Sequence, residues 1–265
     1  MKASVIFAAK YFVSLGGSIY VHTVGFLRPR HRTLINTICA HFGYAPRRVQ
    51  PVLPMVDVNE IAPEQTPFRL REPAAQDGNI SLFELMVIAR IVAARQPQRM
   101  LEIGTFDGRT TLNLASNSAG EVLTLDLPPE ELDHTQHSLA RGDDCYIRKS
   151  TSGARFQGTD VAGQITQLWG DSATFDWAPY AATFDFIFVD GAHSREYCLA
   201  DSRNAFRLLK PEGGIILWHD YDGHFDGVTE AIHLLAREGR PIRRIAGTNL
   251  ACLLQTRAED IRLKS

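Results

Sequence analysis

The sequence predicts an α/β fold: an open, mostly parallel sheet with helices on both faces, ended by an antiparallel hairpin. Three observations carry this expectation. First, the apolar run Met100-Leu101-Glu102-Ile103 passes through Gly104-Thr105-Phe106-Asp107-Gly108 into an amphipathic pattern beginning at Arg109. Glycine adds no side chain and tolerates positive φ, so such a strand-to-helix turn lets a ligand approach bare backbone. Second, four later apolar runs, at 122–125, 165–170, 186–189 and 214–218, lead into Asp126, Asp171, Asp190 and Asp220. Ligands of an open α/β sheet sit beyond the carboxyl ends of the strands, so with Glu102 five acids fall on one rim. A single Asp at a strand end commonly caps the next helix; five in series do not fit capping alone. Third, residues 241–246 and 250–254 flank Gly247-Thr248-Asn249, two strands around a three-residue turn and hence an antiparallel pair.

Taken in order, residues 1–45 read as an amino-terminal helical arm. Positions 3–27 are mostly apolar but are interrupted by Lys10, His22 and Gly16-Gly17, and Arg28, Arg30 and Arg32 follow. A spanning helix needs about 20 predominantly apolar residues, so the length suffices while the quality is marginal. The arm is expected to pack on the main domain or on a second copy, giving a homo-oligomer. The alternative is weak membrane contact through residues 3–32, since a basic flank suits a cytoplasmic membrane face. A cleaved signal peptide fits poorly, because Lys10 cuts the apolar run short. Residues 46–78 hold Pro46, Pro51, Pro54, Pro63, Pro67 and Pro73, a density that excludes a continuous helix and marks an extended connector. Residues 79–265 form the main domain. Ser81-Leu82-Phe83-Glu84 is a capping box opening a helix that ends near Pro97. Residues 128–163 are long, polar and irregular, a length between strands that usually carries function; they read as a lid-like insertion. A further helix is expected over 227–238, ahead of the hairpin.

The glycine turn lacks the third glycine of the dinucleotide fingerprint and has no Gly-Lys-Ser/Thr for a nucleoside triphosphate. Asp126, about twenty residues beyond the glycines, stands where an acid grips ribose hydroxyls. The chain reads Glu-Ile-Gly-Thr-Phe-Asp-Gly-Arg-Thr at 102–110, Thr-Leu-Asp-Leu-Pro at 124–128 and Gly-Asp-Ser at 170–172. It then reads Val-Asp-Gly-Ala-His-Ser at 189–194 and Trp-His-Asp-Tyr at 218–221. With these blocks in this order it resembles the class I S-adenosylmethionine-dependent methyltransferases, in the branch related to the metal-dependent O-methyltransferases of catechol and macrocin type. The resemblance spans roughly residues 76–256. It implies a Rossmann-like sheet of seven mostly parallel strands with the antiparallel carboxyl-terminal hairpin. It also implies S-adenosyl-L-methionine as cofactor. Gly104, Thr105 and Gly108 would then face the amino-acid portion, with Glu102, Asp107 and Thr110 nearby. Asp126 would take the ribose hydroxyls, Asp171 and Ser172 the adenine, and Leu127 and Asp190 would complete the cofactor-binding set. Asn79 and Ile80 would edge the same pocket, and Ser152-Gly153-Ala154-Arg155-Phe156 is similar to a Thr-Gly-Ala-Arg-Phe block of that branch.

Transfer to a hydroxyl needs an aligned acceptor, which supplies much of the rate, and help in losing its proton. The resemblance places a divalent metal, magnesium or manganese, on Asp190, His219 and Asp220. His219 stands where those enzymes offer a carboxylate, and magnesium prefers an all-oxygen set. The other route is direct: His193 or His219, with Asp190, acting as a general base that titrates near neutral pH. The function implied is O-methyl transfer to a small-molecule or sugar hydroxyl. The rivals are a nicotinamide-dependent oxidoreductase, disfavoured by the missing glycine and the terminal hairpin, and a cofactor-binding scaffold without turnover.

Composition agrees. A chain of 265 residues buries one sizeable core. A net charge of −2, with both signs mixed, gives no basic footprint for nucleic acid. Cys39, Cys145, Cys198 and Cys252 are far apart and form no disulfide framework. Nothing argues for an oxidising compartment, and a cytoplasmic location, with any membrane association through the arm, is expected.

Overall fold

The computed structural model describes residues 2–28, 31, 34, 35, 38, 49–149 and 151–255, in two compact units, Met1–Arg48 and Val49–Ser265. Cys39, Pro46, Arg30 and Arg32 lie outside the described residues. The first unit holds helix α1 (Lys2–Thr23) and a single 3-10 turn, Gly25–Leu27. Among the described residues no helix is long and apolar enough to cross a membrane.

The second unit is built on an eight-stranded sheet in the order β1-β7-β8-β6-β5-β2-β3-β4. The strands are β1 (Met55–Val56), β2 (Arg99–Ile103), β3 (Glu121–Asp126), β4 (Ile165–Trp169), β5 (Phe186–Val189), β6 (Gly214–Trp218), β7 (Arg243–Ile245) and β8 (Ala251–Gln255). Strands β2 to β6 pair in parallel. β8 runs antiparallel between β6 and β7, as the hairpin around Gly247 predicts. There Gly247 has φ +75, and the Thr248 hydroxyl donates to the Ile245 carbonyl while accepting from the Leu250 N–H.

The seven strands expected become eight because the connector supplies β1. Met55 and Val56 pair in parallel with Arg244 and Ile245. Asp57 then caps a one-turn helix, α2 (Val58–Ile61), in a reciprocal box with Glu60. Two residues are too few to show a strand period in sequence. The rest of the connector is strapped down by side-chain amides. Asn113 and Asn117 accept the N–H groups of Arg71 and Arg69 at 2.9 and 2.7 Å and donate back to their carbonyls. An extended segment thereby satisfies its backbone without a neighbouring strand.

Helix α3 (Leu82–Arg95) starts at the predicted capping box and stops at Gln96, left-handed at φ 47, before Pro97. Helix α4 (Arg109–Asn117) follows the glycine turn. The 128–163 segment holds a 3-10 turn (Pro129–His134) and the short helix α5 (Asp144–Ile147). Helices α6 (Arg195–Leu208) and α7 (Asp226–Arg237) complete the layers.

Side chains alternate across the sheet. Met100, Phe186, Phe188 and Leu217 face α3 and α4, meeting Leu85, Ile88, Ile91 and Leu112. Leu101, Ile103, Ile187 and Ile216 face α6 and α7, meeting Cys198, Leu208, Ile232 and Leu235. Burying each such side chain fully contributes about 1.5–3 kcal/mol. Cys198 and Cys252 are free and buried among these apolar groups.

Candidate active site

Parallel strands aligned by their backbones must end together, and a cavity of about 270 Å³ opens where β2 to β6 end. Its closest approach is made by Gly104, φ +101: a Cβ there would lie 2.0 Å from the Asp190 carbonyl oxygen. Only glycine lets the ends of β2 and β5 meet so tightly. Phe106 and Asp220 also hold positive φ, +49 and +60, conformations that cost energy for side-chain-bearing residues and cluster at functional sites.

Of the residues expected to hold cofactor, Gly104, Asp126, Leu127, Asp171, Ser172 and Asp190 line the cavity. Glu102, Thr105, Asp107, Gly108 and Thr110, also expected around the cofactor, lie behind that lining. Glu102 alternates onto the α4 face of β2, where it accepts from the hydroxyls of Thr111 and Thr124. Burial raises its carboxyl well above the usual range, opposed by those hydroxyls. Thr105 bonds to Thr124 and Gln167. Asp107 accepts from Arg109 N–H, Gln76 and the Arg155 guanidinium at 3.0, 2.9 and 2.7 Å. These residues build the turn rather than the cavity wall. Arg109, 1% exposed, donates to the carbonyls of Glu72, Pro73 and Ile80 and so fixes the connector over the turn. Asn79 lines the cavity and Ile80 is core.

The 128–163 segment closes one side by gripping the strand-end acids. Lys149 Nζ lies 2.7 Å from Asp126 Oδ2, which also accepts from the Ser152 hydroxyl. Asp171 accepts from the Gln136 N–H at 2.7 Å, the Tyr197 hydroxyl at 2.8 Å and the Ala173 N–H at 2.9 Å. Gly153 N–H donates to the Phe106 carbonyl, and Gly108 leaves room for the Phe156 ring, which a Cβ would meet at 2.6 Å. Phe106, Leu139, Tyr146 and Phe225 add an apolar and aromatic wall.

The deepest part is a chain of acids and imidazoles. Asp143 takes the His193 N–H at 3.0 Å and its Nδ1 at 2.7 Å; His193 Nε2 lies 2.9 Å from Asp220 Oδ2, and the ring stacks on Phe225 at 3.9 Å. His219 Nδ1 is 3.2 Å from both Asp190 Oδ1 and Asp220 Oδ2, with Nε2 3.4 Å from Glu84 Oε2. Burial alone would lower the His193 pKa, but its bonds to Asp143 and Asp220 outweigh it and raise it to about 10. Burial likewise opposes the charge on His219, yet Asp190 and Asp220 hold it well above the ordinary histidine value. Burial would raise Glu84, but His219, the Ser81 cap and the Asn249 N–H bring it down to about 2. Asp220 is held below the ordinary carboxylate range against its own burial, chiefly by the His219 charge. Each imidazole therefore lies between carboxylates that favour its protonated form.

Asp190, His219 and Asp220 each offer one ligand atom, all within 4.8 Å of one another. Two carboxylates and an imidazole suit manganese, iron or zinc better than magnesium, which favours oxygen throughout. The three residues expected to hold a metal thus come together. Sequence reasoning missed Asp143, Tyr146 and Lys149, which lie in an aperiodic insertion, and the reach of Glu84, read only as a cap.

Residues 101–221 match a family model described as a methyltransferase domain. Among solved structures, the chain is similar to a methyltransferase of Podospora anserina crystallised with SAH, at 16% identity over 68% of this chain and 81% of that one, TM-score 0.52. It is also similar to the O-methyltransferase from Bacillus cereus in complex with SAH, at 20% identity over 68% and 84%, TM-score 0.47. A third is the O-methyltransferase TomG of Streptomyces achromogenes in complex with SAM, at 19% identity over 83% and 96%, TM-score 0.46. No curated protein sequence matches.

Proposed function

We propose that this chain, a class I S-adenosylmethionine-dependent methyltransferase by its matched domain and its fold, transfers the methyl group to a hydroxyl oxygen of a small molecule. The observation that carries the reading is the convergence of Asp126, Asp171, Asp190, His219 and Asp220 on one cavity at the carboxyl ends of parallel strands. A nicotinamide-binding sheet would continue in parallel units, and β8 runs the other way.

In this reading Asp126 accepts the ribose hydroxyls, and Gly104 offers backbone to the amino-acid portion. Ser172 and Leu127 flank the adenine, while Asp171 holds Tyr197 and the 128–163 lid around it. The wall of Phe106, Tyr146 and Phe225 suits the apolar body of an acceptor whose hydroxyl points at Asp190 and Asp220. Fixed alignment of acceptor oxygen, methyl carbon and sulfur lowers the barrier to in-line displacement. A divalent cation, when bound by Asp190, His219 and Asp220, would supply Lewis-acid activation of that hydroxyl. Both imidazoles are already enclosed by carboxylates, so neither stands free as a base and the metal route is favoured. Ligation requires His219 to give up its proton, so metal affinity should rise with pH. His193 then serves to hold Asp220.

The rest of the reading follows the chain. Residues 1–45 are an arm, 46–78 a connector and 79–265 the catalytic domain. The enzyme works on the cytoplasmic side, and residues 3–32 are its contact segment for a membrane surface or a second copy. The test is calorimetry with S-adenosylmethionine, then radiolabelled methyl transfer across sugar, phenol and metabolite hydroxyls with manganese, magnesium or EDTA. A thermal shift with NAD and none with S-adenosylmethionine or its demethylated product would overturn the assignment.

A further inference from the structure

We infer that the amino-terminal unit attaches the protein to a bilayer surface rich in anionic lipid. The inference does not depend on what the cavity transfers. Charge is sharply segregated along the sequence. Residues 1–56 contain Lys2, Lys10, Arg28, Arg30, Arg32, Arg47 and Arg48 and no Asp or Glu, whereas the whole chain holds 30 acids against 28 Lys and Arg. A near-neutral protein thus concentrates positive charge at one end.

Apolar exposure lies in the same segment. Phe7 is 72% exposed, Phe12 68% and Val13 77%. At 3.6 residues per turn these three point in different directions around α1, and Ile6, Leu15 and Ile19 are exposed as well. Lys10, Ser14, Ser18 and His22, four residues apart, leave α1 one narrow polar stripe, and the broad apolar remainder suits the headgroup–acyl boundary with that stripe turned to water. Val24 and Leu27 continue the apolar surface up to Arg28. Tyr11 and Tyr20, 55% and 41% exposed, are of the amphipathic type found at the level of lipid headgroups.

Lipid fits better than a second copy. Pairing two such arms would bring their cations together with no acid in either segment to offset them. Anionic headgroups supply that charge, and the long stem of Lys10 can lie along apolar surface with its ammonium in the headgroup layer. The attachment is to the surface: no described helix is long and apolar enough to cross.

The test uses the full chain and flotation with vesicles of phosphatidylcholine alone or with about 30 mol% phosphatidylglycerol. We expect binding at least about tenfold stronger to the anionic vesicles, lost at high salt through screening. Phe7→Asp/Phe12→Asp/Val13→Asp should abolish flotation while leaving the melting transition of the catalytic unit in place. Absent or equal binding to the two vesicle types overturns the inference. So does a dimer in light scattering that this triple variant converts to monomer while the parent chain fails to float. Retention through alkaline carbonate extraction overturns surface attachment in favour of a span.

Discussion

Replacing Asp126 with alanine probes the cofactor pocket most directly. The carboxylate is 8% exposed at the end of β3, with Lys149 Nζ at 2.7 Å and the Ser152 hydroxyl on the same oxygen. A bound ribose adds two charge-assisted donors, each worth about 1.5–3 kcal/mol. Part of that gain is offset because the carboxylate already shares its charge with Lys149 and Ser152. A net loss of about 2–4 kcal/mol is therefore expected, which weakens the dissociation constant by about 30- to 700-fold at 1.4 kcal/mol per decade. The assay is isothermal calorimetry with S-adenosylmethionine on the parent, Asp126→Ala, Lys149→Met and the double variant, a cycle that isolates the pair. Lys149→Met alone should bind as well as the parent or better, since the carboxylate is released to the ribose. The double variant should regain fold stability, because no lone buried ammonium remains, but not affinity. Unchanged affinity in a folded Asp126→Ala, or full recovery in the double variant, would refute the ribose assignment.

Three further outcomes are expected. His193 is held protonated up to about 10 against an ordinary 6.5, so its contribution to stability is fully present below about pH 6.5 and is lost as pH rises towards 10. The melting temperature of metal-free protein should fall across that window, and His193→Gln should flatten the fall; identical slopes would contradict the bridge between Asp143 and Asp220. Gly104→Ala must adopt φ +101 with its Cβ 2.0 Å from the Asp190 carbonyl, so it should destabilise the fold by more than about 2 kcal/mol in urea titration, and a neutral result would mean the ends of β2 and β5 are not so joined. Asp220→Asn should sharply weaken manganese binding measured by calorimetry, and Asp143→Asn, acting through His193, should weaken it by about 10- to 100-fold with cofactor affinity unchanged; parent-like metal affinity in both would remove the metal from the site.

By itself the sequence determined the rim. Period-two burial and parallel pairing require strands to end together, so acids placed at residues 126, 171, 190 and 220 had to meet whatever the details of packing. The capping box at Ser81, the left-handed demand at Gly104 and the hairpin around Gly247 are likewise local, because backbone stereochemistry and hydrogen-bond geometry act over a few residues. What only the tertiary structure decided is which way each polar group points and what meets it. Glu102 lies one position off the face its neighbours Leu101 and Ile103 use, and so turns into the α4 layer under Thr111. β1 exists only because Arg244 and Ile245 offer an edge to two residues of a proline-rich strap. Asp143 and Lys149 sit in an aperiodic insertion with no local pattern, yet they clasp His193 and Asp126 across 50 and 23 positions of chain. The bias of His193 and His219 towards the protonated form is decided the same way. An imidazole takes its charge from the carboxylates that enclose it, and here those come from the insertion, from α3 and from the ends of β5 and β6, which only the folded chain brings within 3.4 Å.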